Sequence, residues 1–299
     1  MKNIFISLLV SSVLYSNLTA KDVNKLQITT NQTSKKAVKE AKQDAVNKQV
    51  KLVKEAIESL KLTSKALMDL NKKDTSSAKK DIERALGKLE VILTSKDAPK
   101  FLPIDSTISS VDFIGTKKDI KKNIKSVEKL LDDGQIQEAR VLLDTLQSEI
   151  DITVVSLPLA TYPNSLKLAA KYLNDNKIEE AKGVLDIALN TFNTTTHIIP
   201  LPLVKATSLI DKAEDLAKSN KKDIAIKYLD VAKDQLDIAK ELGYVSKSDT
   251  SYEILHKSIK DIQKEIKGEN KATKLFKKLK EKLKDFKDKI FSSRDSKNK

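Results

Sequence analysis

The chain has no cysteine and no tryptophan, and only six glycines, six prolines and two histidines in 299 residues. Each scarcity removes a class of function. Without cysteine there is no disulfide, no thiolate nucleophile and no Cys-ligated zinc. Glycines that stand singly build no phosphate-cradling loop. Neither a Gly-x-Ser-x-Gly elbow nor a His-Glu-x-x-His helix occurs. His197 and His256 lie in different predicted elements, so a metal site would need carboxylates gathered by the fold. Aromatic residues make up 4% of the chain, and Arg84, Arg140 and Arg294 are its only arginines. The net charge of +14 is therefore almost all lysine. Base stacking and bidentate phosphate recognition both lack their usual side chains, which argues against a nucleic-acid partner. The composition assigns no catalytic residue, no metal ligand and no cofactor. A non-enzymatic protein is the expectation.

The N-terminus is informative. Lys2 precedes an uncharged apolar run from Ile4 to Leu14, and small or polar residues lead to Ala20. This is the pattern of a secretory signal peptide over residues 1–20. An uncleaved anchor is the other reading, but the run falls short of the roughly 20 apolar residues needed to span a bilayer. No cysteine follows it for lipid attachment. The expected compartment is the periplasm. Residues 21–33 are polar and read as a flexible segment.

What is abundant is helical periodicity. From Ser34 to Asn71, Val38, Ala41, Ala45, Leu52, Ala56, Leu60, Leu67 and Leu70 recur at three- and four-residue intervals. They predict one long amphipathic helix of roughly 50 Å at 1.5 Å per residue. Such a length suggests a homo-oligomer interface. Beyond it a short block repeats. Asp132–Asp144 (DDGQIQEARVLLD) aligns without a gap to Asn174–Asp186 (NDNKIEEAKGVLD), to Lys218–Asp230 (KSNKKDIAIKYLD) and, more loosely, to Asn71–Glu83 (NKKDTSSAKKDIE). Each block reads as a polar turn followed by the second helix of a hairpin. Gly134, Asn176 and Asn220 stand where a helix ends and a left-handed residue is tolerated. The predicted core faces are Ile136, Ala139, Leu143, Leu146, Ile150; Ile178, Ala181, Leu185, Ala188, Phe192; Ala225, Leu229, Ala232, Leu236; and Ala78, Ile82, Ala85, Leu89. Leu131, Leu173, Ala217 and Leu70 complete them from the preceding helices. The period exceeds the 34 residues of a tetratricopeptide repeat.

The excess lies in connectors that hold every proline: Ala98–Ile104 (APKFLPI), Val154–Pro163 (VVSLPLATYP) and His197–Leu203 (HIIPLPL). Proline flanked by apolar residues cannot continue a helix and favours extended backbone. The β-branched runs Ile152–Val155, Thr194–Ile199 and Thr107–Ile114 lie beside them. These segments either pair into a small sheet or lie as buried straps. The fold class is thus all-α, an array of antiparallel helical hairpins with Pro-rich extended connectors and a minor β element. His197, inside one connector, is a candidate pH-sensitive residue.

The C-terminal part is different. Lys271–Phe291 sets Leu275, Leu279, Leu283, Phe286 and Ile290 on one face and is dense in lysine elsewhere. A basic amphipathic helix is either a membrane- or partner-docking element or a packed terminal helix with a solvated face.

At Val154–Thr191 (VVSLPLATYPNSLKLAAKYLNDNKIEEAKGVLDIALNT) the sequence resembles the YfdX family of bacterial proteins. The Leu-Pro-Leu-Ala-Thr-Tyr-Pro opening of a hairpin is the most specific part, and Ile199–Leu203 (IPLPL) agrees. The resemblance implies a mainly helical periplasmic protein associated with stress such as acid or drug exposure, and it supplies no catalytic residues. Residues 34–267 would form the YfdX-like domain, and 268–299 a basic amphipathic helix and tail. The functional expectation is a chaperone-like holding or binding protein for a protein client or small apolar ligand. Its candidate grooves are lined by Leu157, Pro158, Leu159, Tyr162, Pro163, Ile199, Pro200 and Leu201. The competing reading of those residues is a core plug. The alternative function is an adaptor docked on a membrane surface or partner through Leu275, Leu279, Leu283, Phe286 and Ile290.

Overall fold

The computed structural model describes residues 20–51, 53–245, 250–267 and 272–295. The expected signal peptide lies outside them except for Ala20. Helix α1 (Ala20–Asn47) is followed by the hairpin α2 (Lys54–Asn71) and α3 (Thr75–Leu93) and by strand β1 (Phe101–Val111). Next come α4 (Lys117–Asp132), α5 (Ile136–Asp144), β2 (Glu149–Pro158), α6 (Tyr162–Asn174), α7 (Ile178–Asn190) and β3 (Asn193–Pro200). The chain continues through α8 (Leu201–Lys218), α9 (Lys222–Glu241), α10 (Ser251–Lys267) and α11 (Ala272–Asp295).

The repeated block owes its shape to its turn. Lys73, Gly134, Asn176 and Asn220 hold the same place in the four aligned copies, and all have φ between 57° and 73°. In each, the next amide reaches back across the turn: Asp74 to Asp69 O, Gln135 to Leu130 O, Lys177 to Tyr172 O and Lys221 to Leu216 O, at 2.8–2.9 Å. That bond closes the end of the first helix and satisfies an orphan carbonyl. The second helix then starts at once, folded back on the first.

Hairpins pair with hairpins. Helix α2 lies against α7 and α3 against α6, around Leu70, Ile82, Leu89, Leu166, Leu173 and Leu185. Helix α8 lies against α11 and α9 against α10, around Leu209, Leu229, Leu236, Ile259, Leu279 and Phe286. The repeated alanines Ala78, Ala181 and Ala225 are fully buried and let the helices approach.

The Pro-bearing connectors pair into an antiparallel sheet in the order β1-β2-β3. Leu102 sits opposite Leu157 and Ile150 opposite Ile199. The prolines fall where a missing N–H costs nothing. Pro103 is in the edge strand β1 beside a register shift, and Pro158 and Pro200 end their strands.

Three expectations are corrected. The long helix over 34–71 is broken, because the chain meets the sheet edge between α1 and α2. There the Gln49 side chain donates to Ser106 O at 3.0 Å and the Val53 amide to Pro103 O at 2.8 Å. Leu52 of the expected stripe lies outside the described residues. Residues 21–33, expected as a flexible segment, are helical. Leu26 packs on the second bundle, and the hydroxyls of Thr29, Thr30 and Thr33 bond carbonyls of the preceding turn. Finally, α5 stops at Asp144, so Leu146 lies beyond it and Ile150 is in β2, where its β-branched neighbours favour a strand.

Candidate functional site

The connector residues are placed in cores. Leu157, Leu159 and Tyr162 belong to the first bundle, whereas Leu201 joins Ile150 and the α1 residues Val38 and Ala45 under the sheet. Pro163 and Pro200 are buried, and Pro158 and Ile199 partly so. The Tyr162 hydroxyl donates to Thr63 Oγ1 at 2.8 Å, and burial pushes its pKa up to about 12. The two matched connectors thus enter different cores and share no groove. His197, by contrast, is exposed on β3 opposite Ile152, so it is not a buried switch.

A polar centre that motif reading missed surrounds Asp237 on α9. Tyr252 donates its hydroxyl to Asp237, Lys117 Nζ donates to Oδ2 at 3.2 Å, and His256 Nε2 approaches Oδ1 to 3.0 Å. The imidazole is poorly aligned for a hydrogen bond, so that contact is chiefly electrostatic and strongest when His256 is protonated. Lys117 and Lys121 also face Glu241, at 3.6 and 3.4 Å. Burial opposes ionisation of Asp237, but His256, Tyr252 and Lys117 outweigh it and hold the carboxyl well below its usual range. Burial and then the Asp237 hydrogen bond push the Tyr252 phenol up. Burial followed by the Asp237 charge raises the neighbouring Asp234. The groups engage one another, and together they tie α4 and α10 to α9. Their sequence separation, from 117 to 256, left no local signal.

The third place is the hairpin α4–α5. Its base is anchored by Ile120, Leu146 and Ile238. Thr116 closes a capping box with Asp119 at the start of α4. Toward the turn the packing ends. Leu131 is 49% exposed, Ile136 60% and Leu143 46%. Ile136 and Leu143 are two turns apart on one face of α5, with Ala139 buried between them. At the equivalents of Leu143, namely Leu185, Leu229 and Ile82, the side chain is fully buried. The same is true of Leu173 and Leu70 at the place of Leu131, to within 1%. The sequence marks these positions as core. In this hairpin, among the described residues, no second hairpin covers them.

The YfdX protein family model matches residues 59–198. Residues 59–198 belong to the YfdX family. A solved structure of YfdX from Salmonella Typhi is 15% identical, covers 50% of this chain and 93% of its own, and has a TM-score of 0.35. No curated protein matches the chain.

The YfdX region runs from within α2 to β3 and so contains the first bundle, nearly all of the sheet and the free hairpin. Beyond it lies the second bundle, where the expected docking face of the C-terminal helix is turned inward. Leu279, Leu283 and Phe286 are buried and Leu275 packs against the same core; the Ile290 side chain lies outside the described residues. Lys280 bridges to Glu214 at 2.6 Å and Asp211 at 3.4 Å on α8. This is a packed terminal helix with a lysine-rich outer face. Among the described residues no helix is long and apolar enough to cross a membrane.

Proposed function

We propose that this YfdX-family chain is a non-enzymatic, exported protein-binding or holding protein, and that it engages apolar segments of protein partners through the α4–α5 hairpin. The observation that carries the reading is the exposure of Leu131 and Leu143 at positions of a repeated motif where both hairpins of the first bundle bury Leu70, Ile82, Leu173 and Leu185, with Ile136 exposed on the same face as Leu143. An apolar face rimmed by charge is a typical protein-interaction surface. The role in acid or drug tolerance, and the periplasmic site, follow from what the family resemblance and the N-terminal pattern imply. Against the adaptor alternative stands the inward-facing apolar stripe of α11.

The experiment is suppression of aggregation of a heat-unfolding client enzyme, followed by light scattering. The wild type should suppress scattering at near-stoichiometric ratio, and the Leu131→Ser, Leu143→Ser double variant should lose most of that effect while retaining its helical circular dichroism. Equal suppression by the double variant would place the binding surface elsewhere.

A further inference from the structure

We infer that the α4–α5 hairpin is a hinged arm, clasped to α9 by ion pairs around a small apolar plug. Resting on the reading above, opening of the clasp adds apolar surface to the face that binds protein partners. The sheet supplies the hinge. Val111, the last residue of β1, is the cross-strand partner of Glu149, the first of β2. The whole hairpin therefore leaves and re-enters the fold at one point, and its movement breaks no strand pair. A few loop residues suffice for such a pivot. Here its two sides are tied to each other and to the second bundle. The Ser148 hydroxyl donates to Asp112 Oδ1 at 3.0 Å, and Lys205 Nζ on α8 donates to the same oxygen at 2.6 Å. The Ser148 amide donates to the Tyr244 hydroxyl at 2.9 Å. At the far end of the arm, residues 131–138 are all exposed.

Between pivot and tip the arm is thinly held. Helix α5 packs on α4, and α4 on α9. Along the two helices only Ile120, Val127 and Ala139 are buried, whereas α8 and α9 bury eight residues each. The plug is Ile120 with Leu146 and Ile238, flanked by Phe113, Ile124 and Leu242. Beside it Lys117 faces Asp237 and Glu241, and Lys121 faces Glu241, at 3.2–3.6 Å. Roughly half of each lysine side chain is exposed, so salt screens these pairs. A unit with so little burial opens at a lower free energy than the bundles around it. Ile120, Ile124 and Leu131 share one face of α4. Opening therefore bares Ile120 and Ile124 and prolongs the apolar face that Leu131 already shows.

The chain has no cysteine, so spin labels can be placed in chosen pairs. Lys129→Cys on the arm with Asp223→Cys on α9 reports the arm, and Lys212→Cys with Asp223→Cys reports the second bundle alone; all three positions are exposed. Distances are read by double electron–electron resonance at low and high salt. The arm pair should show a second distance whose share grows several-fold at high salt and in Glu241→Lys, which sets like charge against Lys117 and Lys121. The swap of Glu241→Lys with Lys121→Glu should recover much of the closed distance. The control pair should keep one distance throughout. A single arm distance under every condition, or a control pair that broadens with it, overturns the hinge. Client capture on the same proteins separates the claims. Capture that rises with the open share supports the coupling, and capture that depends on Leu131 and Leu143 but ignores the open share removes the coupling and leaves the proposed function standing. Capture indifferent to those leucines removes the function, whatever the distances show.

Discussion

His256 Nε2 on α10 stands 3.0 Å from Asp237 Oδ1 on α9. Through Asp237 the contact extends to Tyr252 and to Lys117 on α4, so one carboxylate connects the free hairpin to the second bundle. The stability of this junction must follow the charge of Asp237.

Asp237→Asn should destabilise the protein at neutral pH by about 1.5–3 kcal/mol, the usual value of hydrogen bonds to a charged group. A carboxyl whose pKa is lowered on folding stabilises above its unfolded pKa, about 3.9, and loses that contribution as pH falls through the lower folded value. The gap between wild type and variant should therefore persist down to about pH 4 and narrow only below it, as Asp237 takes up its proton. Asp234, raised by burial and by Asp237, works in the opposite sense and is relieved as acid is added. Thermal melts of both proteins between neutral and acidic pH check the sign. A gap that widens below about pH 4 would contradict it.

Much of this fold is legible in the residues because its rules are local. The left-handed turn position announces itself as Gly134, Asn176 and Asn220, and only Lys73 disguises it. The prolines with their β-branched neighbours announce strands. What is not legible is non-local. The break between α1 and α2 depends on the edge of β1, distant in the chain, accepting hydrogen bonds from Gln49 and Val53. Leu143 and Leu185 are indistinguishable within their aligned blocks, and only the presence or absence of a facing hairpin separates a surface residue from a core one. For the same reason the connector leucines looked available for binding: an apolar residue beside proline is equally suited to a groove wall and to a plug.

Lys73 is the one turn residue that carries a full steric cost, with φ of 64° and a Cβ facing the following carbonyl. For a non-glycine residue that conformation costs roughly 1–2 kcal/mol, less for asparagine. Lys73→Asn should raise the denaturant midpoint by up to about 1 kcal/mol of stability, without changing helix content. A lowered midpoint would show that the lysine makes a compensating contact.

Leu143 and Leu185 make a matched pair for stability. Leu185→Ser should cost about 2–5 kcal/mol, as large-to-small changes in a packed core do. Leu143→Ser should stay within about 0.5 kcal/mol, provided both are measured at dilution where the protomer is compared with itself. Equal losses at the two positions would mean that α4–α5 is covered within its own chain.

The matched connectors offer the last test, because they separate a groove wall from a plug. Leu157 and Leu201 are both fully buried, but Leu157 supports the first bundle and Leu201 the joint between α1, the sheet and α8. Leu157→Ala and Leu201→Ala should each cost about 2–5 kcal/mol. The costs should add, since the residues belong to separate clusters with no shared partners. Client capture per folded molecule should be unchanged in both, in contrast to the hairpin variants. Denaturant unfolding and light scattering on the same four proteins, including the double variant, decide the point. Lost capture with intact stability would return the binding surface to the Pro-rich connectors, and a double variant much less damaged than the sum would mean that the two cores communicate.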